Sequence, residues 1–347
     1  MKLKSLLNCA ALMVATALVG CNQGSGGTTS TSTGGSATGA PKSDIKIGYI
    51  VKQPEERWFQ IEWMFAEKCA KDKGFELIKL PAQDGDKVMA AIDNLNAQGA
   101  KGFVICTPDV RLGPAIMKKA DSLGMKVITV DDQFVDADNK IMTNVHHMGL
   151  SADKIGELSG QTLVKLAQDK KWPMDQIGVC LVTRDELDTA KVRTDNIYKA
   201  LVAGGIKESQ IYKAPQATTD VQGGLDAANI LLTQHPNVKY WLVGAMNDTG
   251  VIGAVRAMEQ RGFTTENCIG CGINGTEAVE EFKKDKPTSV AASILMRADE
   301  HGYKSTEMLY EWLKDGKEPA LDTRTSGIVV TRDNYKKEFT EKGIPLD

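Results

Sequence analysis

The sequence predicts an α/β protein with two domains built on mostly parallel sheets. Short apolar runs typical of buried strands alternate with longer segments whose apolar residues recur at helical spacing. Strands that alternate with helices form βαβ units, in which consecutive strands run parallel. About 305 residues follow the polar N-terminal segment, which is long for one hydrophobic core, so we expect two domains.

The N-terminus has the pattern of an exported bacterial protein. Lys2 and Lys4 precede the apolar run Leu6–Val19, and small residues stand directly before Cys21. This pattern predicts a secretory signal peptide, and its end resembles a lipoprotein cleavage box. We therefore expect a signal peptide at residues 1–20 and a lipid anchor at Cys21, in the periplasm or on the outer face of the cell envelope. The alternative is a plain signal peptide followed by an incidental cysteine.

The composition restricts the classes of function. Residues 21–43 are dominated by Gly, Ser and Thr, which predicts a flexible tether that cannot bury a core. The net charge is −3 and the basic residues are scattered, so no nucleic-acid surface is expected. Apart from the two N-terminal cysteines, five remain, an odd number that argues against a disulfide framework and favours buried thiols.

The predicted elements begin with eight apolar runs and five helical segments. The strands are Ile45–Val51, Glu76–Leu80, Gly102–Cys106, Lys126–Val130, Gly178–Thr183, Lys239–Val243, Cys268–Ile273 and Ser289–Leu295. The helices are Ile61–Lys73, Lys87–Gln98, Ala152–Gln168, Leu187–Ala203 and Asp248–Gln260. Asp220 and Asn247 are candidate N-caps, and the glycines Gly74, Gly124, Gly204 and Gly262 are candidate helix ends.

A polar, glycine-containing stretch from His146 to Ser151 interrupts this alternation near the middle of the chain. We predict that it is a crossover between the two lobes. Adjacent histidines without a carboxylate partner in the motif are more typical of an exposed loop than of a metal site, so His146 and His147 are expected to be exposed.

Polar side chains follow most of the predicted strands. In open parallel sheets, ligands bind at the carboxyl ends of the strands. The residues expected there are Lys52, Thr107 to Asp109, Asp131 to Gln133, Arg184 to Glu186, Met246 to Asp248 and Asn274. Helix capping is the alternative explanation for the Asp and Asn residues among them.

The segment after the first strand has the highest density of charged and aromatic side chains. Within eight residues it contains Lys52, Glu56, Trp58 and Phe59. Charged groups can bind hydroxyls while aromatic rings cover C–H surface, so this segment predicts a small polar ligand with an apolar face.

Seven motifs resemble the L-arabinose-binding branch of the periplasmic sugar-binding protein family, which serves bacterial ABC importers. In chain order they are KQPEERWFQ, GFVICTPD, MKVITVDDQF, DELDTAKVRT, VGAMNDTGVIGAVRA, GCGING and HGYKSTEMLY. The resemblance spans residues 44 to 341. It implies two lobes joined by a three-segment hinge, in the type I arrangement, with an N-terminal lobe of residues 44–150 plus 296–326 and a C-terminal lobe of residues 151–295 plus 327–347.

The resemblance also implies which residues contact the sugar in the cleft. From the first lobe these are Lys52, Glu56, Trp58, Asp131 and Asp132, with Asp132 near the anomeric hydroxyl, and from the second lobe they are Arg193, Met246, Asn247 and Asn274. No cofactor and no metal are implied.

Three positions depart from the family pattern. Arg57 stands in place of a proline, Leu150 in place of a methionine that lines the cleft, and Met296 to Ala298 in place of a proline-rich hinge segment. The branched side chain of Leu150 changes the pocket wall, so related sugars stay open as ligands.

Two other motifs suggest different chemistry and are rejected. The glycine pattern Gly270–Gly275 lacks the acidic residue about twenty positions later that dinucleotide binding needs. Cys268 and Cys271 lie on one predicted strand, where side chains three apart point to opposite faces, and no second cysteine pair supports zinc.

The sequence therefore predicts a monomeric binding lipoprotein and not an enzyme. It is expected to deliver a monosaccharide to a membrane ABC permease, with L-arabinose as the favoured ligand. The alternatives are D-galactose, D-fucose or D-xylose as ligand, or a sugar sensor. A sugar-processing enzyme is less favoured, because adjacent Asp131 and Asp132 do not give the opposed carboxylates that glycoside hydrolysis needs.

Overall fold

A computed structural model describes residues 43–346 of the chain. The predicted signal peptide, the lipidation site Cys21 and all of the predicted tether except Ser43 lie outside the described residues, as does Asp347. Within residues 43–346, none of the helices has the length and apolar character needed to cross a membrane.

Strands and helices alternate through most of the described chain. The strands are β1 (Lys46–Val51), β2 (Glu76–Pro81), β3 (Gly102–Ile105), β4 (Lys126–Val130), β5 (His146–Leu150), β6 (Ile177–Thr183), β7 (Ile211–Pro215), β8 (Tyr240–Ala245), β9 (Cys268–Asn274), β10 (Val290–Leu295), β11 (Asp322–Thr325) and β12 (Ile328–Thr331). The α-helices are α1 (Arg57–Lys73), α2 (Gly85–Ala97), α3 (Gly113–Ser122), α4 (Ala152–Asp169), α5 (Asp188–Ala203), α6 (Val221–Gln234), α7 (Asp248–Gln260), α8 (Ala278–Lys283), α9 (Ala298–Asp315) and α10 (Tyr335–Lys342).

These strands form two six-stranded sheets. The first has the order β11-β5-β4-β3-β1-β2, and all its neighbours are parallel. The second has the order β12-β10-β9-β8-β6-β7, and only β12 runs antiparallel to its neighbour. The predicted fold class, two mostly parallel α/β lobes, is confirmed.

The chain passes between the two sheets at three places. It leaves the first sheet after β5, because α4 packs on β8 and β9 of the second. It returns after β10, since α9 packs against α1 and against β3 and β4. It crosses again between β11 and β12. Strand β11 of the first sheet ends at Thr325, and strand β12 of the second sheet begins at Ile328.

The helix signals of the sequence match the structure closely. The side chains of Asp220 and Asn247 cap α6 and α7 by accepting hydrogen bonds from Gly223 N and Gly250 N. Gly74 ends α1 in the left-handed conformation at φ 78°. Helix α1 begins at Arg57, four residues before the predicted start, so Trp58 belongs to its first turn.

The stretch from His146 to Leu150 corrects an expectation. It is strand β5, covered by β4 on one side and β11 on the other, so His146 and His147 are buried and are not loop residues. His147 Nδ1 lies 2.9 Å from Thr129 Oγ1. Burial, together with the charge of Arg324, lowers the pKa of His147 to about 3, so its imidazole is neutral at pH 7.

The five cysteines of residues 43–346 are free and buried, as expected. Cys268 packs in the core on the α7 side of the second sheet, whereas Cys271 packs with Ile155 and Leu163 of α4 on the other face. The two thiols therefore cannot bind one ion together.

Candidate functional site

The carboxyl ends of β1 and β4 bring Lys52 and Asp132 together. Lys52 Nζ lies 2.5 Å from Asp132 Oδ2, and the thiol of Cys106 lies 3.6 Å from the same oxygen. The Lys52 side chain is 27% exposed and that of Asp132 is 42% exposed. Burial alone would lower the pKa of Lys52, but the sulfur of Cys106 and the carboxylate of Asp132 raise it above its usual value. A charged pair thus stands at the sheet edge, partly open to solvent.

Asp131 has a different role from its neighbour. Its backbone is left-handed at φ 64°, a conformation that is uncommon for residues other than glycine. Asp131 Oδ2 accepts a hydrogen bond from Trp58 Nε1 at 3.0 Å, and Oδ1 lies 2.7 Å from His301 Nδ1. Both oxygens of Asp131 are therefore engaged within the protein, whereas Asp132 keeps capacity for a ligand.

His301 is the main site residue that sequence reasoning missed. It lies in the first turn of α9, is fully buried, and meets the Trp58 ring edge-on at 5.4 Å between centroids. Its Nε2 lies 2.7 Å from Thr325 Oγ1, and its Nδ1 lies 3.7 Å from Glu62 Oε1. The motif HGYKSTEMLY contains this histidine, but packing of α9 against α1 is what carries it to the end of β4.

The charges of this buried group offset one another. Burial alone would lower the pKa of His301, but Asp131 and Glu62 raise it to about 9. Burial and the charge of Asp131 raise the pKa of Glu62 to about 8. Burial also opposes ionisation of Asp131, yet His301 and Trp58 hold its pKa below the usual value. At pH 7 the group therefore contains a cationic imidazole, one carboxylate and one neutral carboxyl.

Glu62, Asp131 and His301 have potential metal-ligand atoms within 4.8 Å of one another. Metal ligands lie about 2 Å from an ion, so two ligands of one ion are well over 2.7 Å apart. The 2.7 Å contact between His301 and Asp131 is a hydrogen bond, and a shared proton accounts for it better than a cation.

Glu62→Gln is expected to stabilise the fold increasingly as pH rises from 5 to 6.5. The folded pKa of Glu62 is raised to about 8, so its contribution to stability is complete below the unfolded value of 4.5 and is lost as pH rises towards 8. Glutamine has no such proton to lose. Urea unfolding should show the variant gaining about 1 kcal/mol per pH unit over the parent protein.

The matched control is Glu67→Gln, which changes an exposed carboxylate on the same helix. It should show no such gain. An equal pH response in both variants would mean that Glu62 is ionised in the folded protein.

On the second sheet, the predicted residues lie near the ends of β8 and β9. The guanidinium of Arg193 donates to the carbonyl of Met246 at 3.1 Å, and its buried Nε has no partner among the described residues. Burial lowers the pKa of Arg193. Asn247 caps α7 and also donates through Nδ2 to Thr219 O at 2.9 Å. Arg193, Met246 and Asn247 thus form a second polar group.

Asn274 is held by Glu277, a residue that the sequence did not single out for the site. Asn274 has φ 127° and donates to Glu277 Oε2 at 2.6 Å. The buried carboxylate of Asp248 accepts from Gly275 N at 2.9 Å and from Ala278 N at 3.1 Å. Asp248 therefore fixes the backbone turn that follows β9.

A cavity of about 210 Å³ lies between the start of α1 and the ends of β9 and β10. It brings together three of the predicted site residues, Glu56, Trp58 and Asn274, beside Met296 of the second crossover. The remaining predicted residues lie outside this cavity, in the Lys52–Asp132 and Arg193–Met246 groups. Glu56 is exposed and its carboxylate accepts from Gln53 at 2.6 Å.

Two parallel-sheet lobes with polar groups at their strand ends define a class of solute-binding proteins. The chain belongs to the family described as periplasmic binding proteins and sugar binding domain of LacI family, whose model matches residues 44–338.

Within that family, the chain is 50% identical over 306 residues to the L-arabinose-binding periplasmic protein of Escherichia coli (strain K12), covering 88% of this chain and 93% of that one. It is 47% identical over 309 residues to the ABC transporter L-arabinose-binding periplasmic protein of Azospirillum brasilense, covering 88% and 92%. These relatives confirm the resemblance drawn from the motifs.

Solved structures support the fold. The crystal structure of a periplasmic ribose ABC transporter protein from Conexibacter woesei superposes with a TM-score of 0.68 at 18% identity, covering 87% of this chain and 97% of that one. At this identity the likeness concerns the fold alone.

Proposed function

We propose that this protein captures L-arabinose outside the cytoplasm and delivers it to a membrane ABC permease. The observation that carries the proposal is the half-exposed Lys52–Asp132 pair beside Trp58, at the strand ends where this fold binds ligands. The two relatives named for L-arabinose binding support the choice of sugar.

The chemistry of these side chains suits an uncharged sugar. Each sugar hydroxyl both donates and accepts, Asp132 accepts, Lys52 and Arg193 donate, and Asn247 and Asn274 do both. Trp58 and Met246 supply apolar surface for the C–H groups of the ring. A hydroxyl in the wrong place leaves a buried partner unpaired at a cost of about 1–3 kcal/mol, which would discriminate between epimers.

Cleft closure follows from the division of these groups between two lobes. We propose the lobe bounds 44–150 plus 296–326 and 151–295 plus 327–347, with the three crossovers as the hinge. Full pairing of the sugar needs the Lys52–Asp132 group, with Trp58, to approach the residues of the other lobe, Arg193, Asn247 and Asn274, so closure and binding are one event. A monomer tethered through a lipid at Cys21, after a signal peptide at 1–20, completes the proposal.

The decisive experiment is thermal unfolding of the purified protein with a panel of sugars. L-arabinose at one hundred times its dissociation constant should add about 2.7 kcal/mol to the unfolding free energy. D-galactose, D-fucose and D-xylose belong in the panel, because Leu150 at the end of β5 shapes the predicted pocket wall. No stabilisation by any aldose would refute sugar binding, and turnover of a sugar would refute a pure transport role.

A further inference from the structure

The three crossovers meet around one buried residue, His301, through contacts of its backbone, of its side chain and of Thr325. Its own backbone N–H donates to Arg297 O at 3.0 Å, directly after the second crossover. Its Nε2 lies 2.7 Å from the hydroxyl of Thr325, which ends β11 at the third crossover. The carbonyl of Thr325 in turn accepts from Ser151 N at 2.9 Å, at the first crossover.

The other side of the same imidazole faces the proposed sugar site. Nδ1 lies 2.7 Å from Asp131 Oδ1, and the second oxygen of Asp131 holds the indole of Trp58 at 3.0 Å. The ring edge of His301 also packs on Trp58. One rigid ring therefore connects a cleft wall to the segments about which the lobes would move.

The hydrogen bonds indicate that both ring nitrogens carry protons. Asp131 is a carboxylate, so Nδ1 donates to it. The Thr325 hydroxyl has one proton and lies 3.4 Å from Gly149 O, which leaves its oxygen free to accept from Nε2. A doubly protonated imidazole holds both partners at once, whereas a neutral one can donate to only one of them.

We propose that His301 is a positioning residue that couples the orientation of Trp58 to the three crossovers, and that its cationic form is the one competent for tight sugar binding. This inference rests on the proposed function. His301 is not expected to touch the sugar, because it is fully buried behind Trp58 and Asp131.

Other titratable groups face this ring, and the effect of their titration on binding must be distinguished from that of His301. They are Tyr49 on β1, Glu62 on α1, Cys106 after β3, Asp131 after β4 and His147 on β5. Burial raises the pKa of Tyr49 and Cys106 and lowers that of His147 to about 3. Among these groups, Glu62 has the pKa closest to that of His301.

The test is calorimetric titration of L-arabinose from pH 6 to pH 10 in a Glu62→Gln background, with and without His301→Gln. The background protein should lose affinity as pH rises through the pKa of His301, which lies below about 9 once Glu62, one of the two groups that raise it, is replaced. The His301→Gln protein should bind about tenfold more weakly at pH 7, the equivalent of one lost hydrogen bond to a charged group, and should lack the alkaline decline.

His146→Gln is the matched control, since His146 is also buried at the first sheet but pairs with Glu318 and not with Asp131. It should keep the alkaline decline. If His301→Gln fails to fold, Thr325→Val, which replaces the hydroxyl with a methyl group, must shift the decline to lower pH. An unchanged pH profile in His301→Gln or in Thr325→Val overturns the inference. Absence of L-arabinose binding by the unsubstituted protein would instead overturn the proposed function.

Discussion

Replacing Asp132 with alanine is expected to weaken L-arabinose binding by about 3 kcal/mol, or about a hundredfold. The carboxylate accepts charge-assisted hydrogen bonds, and two such bonds to sugar hydroxyls are worth about this much. The substitution also leaves the Lys52 ammonium, which is 27% exposed, without its partner at 2.5 Å. Calorimetric titration measures the loss directly.

Folding should be nearly unchanged, because the Asp132 side chain is 42% exposed. The matched control is Asp138→Ala, an exposed carboxylate in the same segment between β4 and β5. It should bind as the parent does. Equal affinities in the two variants would show that Asp132 only neutralises Lys52. Asn247 is a weaker probe, since its loss also removes the cap of α7.

Gly156→Ala is expected to lower the unfolding free energy by about 3 kcal/mol and to weaken sugar binding as well. Gly156 lies on α4, where an added Cβ would overlap the carbonyl oxygen of Arg193 on α5 and lie 2.9 Å from its carbonyl carbon. Backbone atoms cannot rotate away, so α5 must shift, at the cost typical of severe overpacking. The shift moves Arg193 away from the carbonyl of Met246, where the proposed sugar site needs it.

The control for this variant is Gly85→Ala in the first turn of α2. There the added Cβ would meet only the end of the Leu112 side chain, at 3.3 Å, and a side-chain end can rotate. Urea unfolding should show a change near zero or a small gain from alanine's better helix propensity. If Gly156→Ala is equally harmless, α4 and α5 are not in the close contact described.

Hydrophobic pattern alone predicted much of the framework. All eight predicted strands are present with ends within two residues. Seven of them are central strands, which form continuous apolar runs in parallel sheets, and β2 is an edge strand. The strands β5, β7, β11 and β12 were missed. Of these, β5 is polar and β11 and β12 have only four residues each, so they lack that signature.

The site was only partly predictable, since strand ends are readable but contacts between distant segments are not. The pairing of Lys52 with Asp132 follows from two strand ends that meet at one sheet edge. The contact between Asp131 and His301 spans 170 residues and depends on α9 returning to the first sheet. Nothing local in the sequence distinguishes a histidine that makes such a contact from one that does not.

The weaving of the chain between the sheets has a consequence for biogenesis. Neither half can complete its hydrophobic core as soon as its own strands have been synthesised. Leu309 and Tyr310 belong to the core of the first sheet, and Tyr335 and Phe339 belong to the core of the second. A nascent chain ending at residue 295 would expose unfilled apolar surface on α1 and β3. The polypeptide must therefore emerge past α9 before the first half has a complete interior and past α10 before the second does, so apolar surface prone to aggregation stays exposed until then.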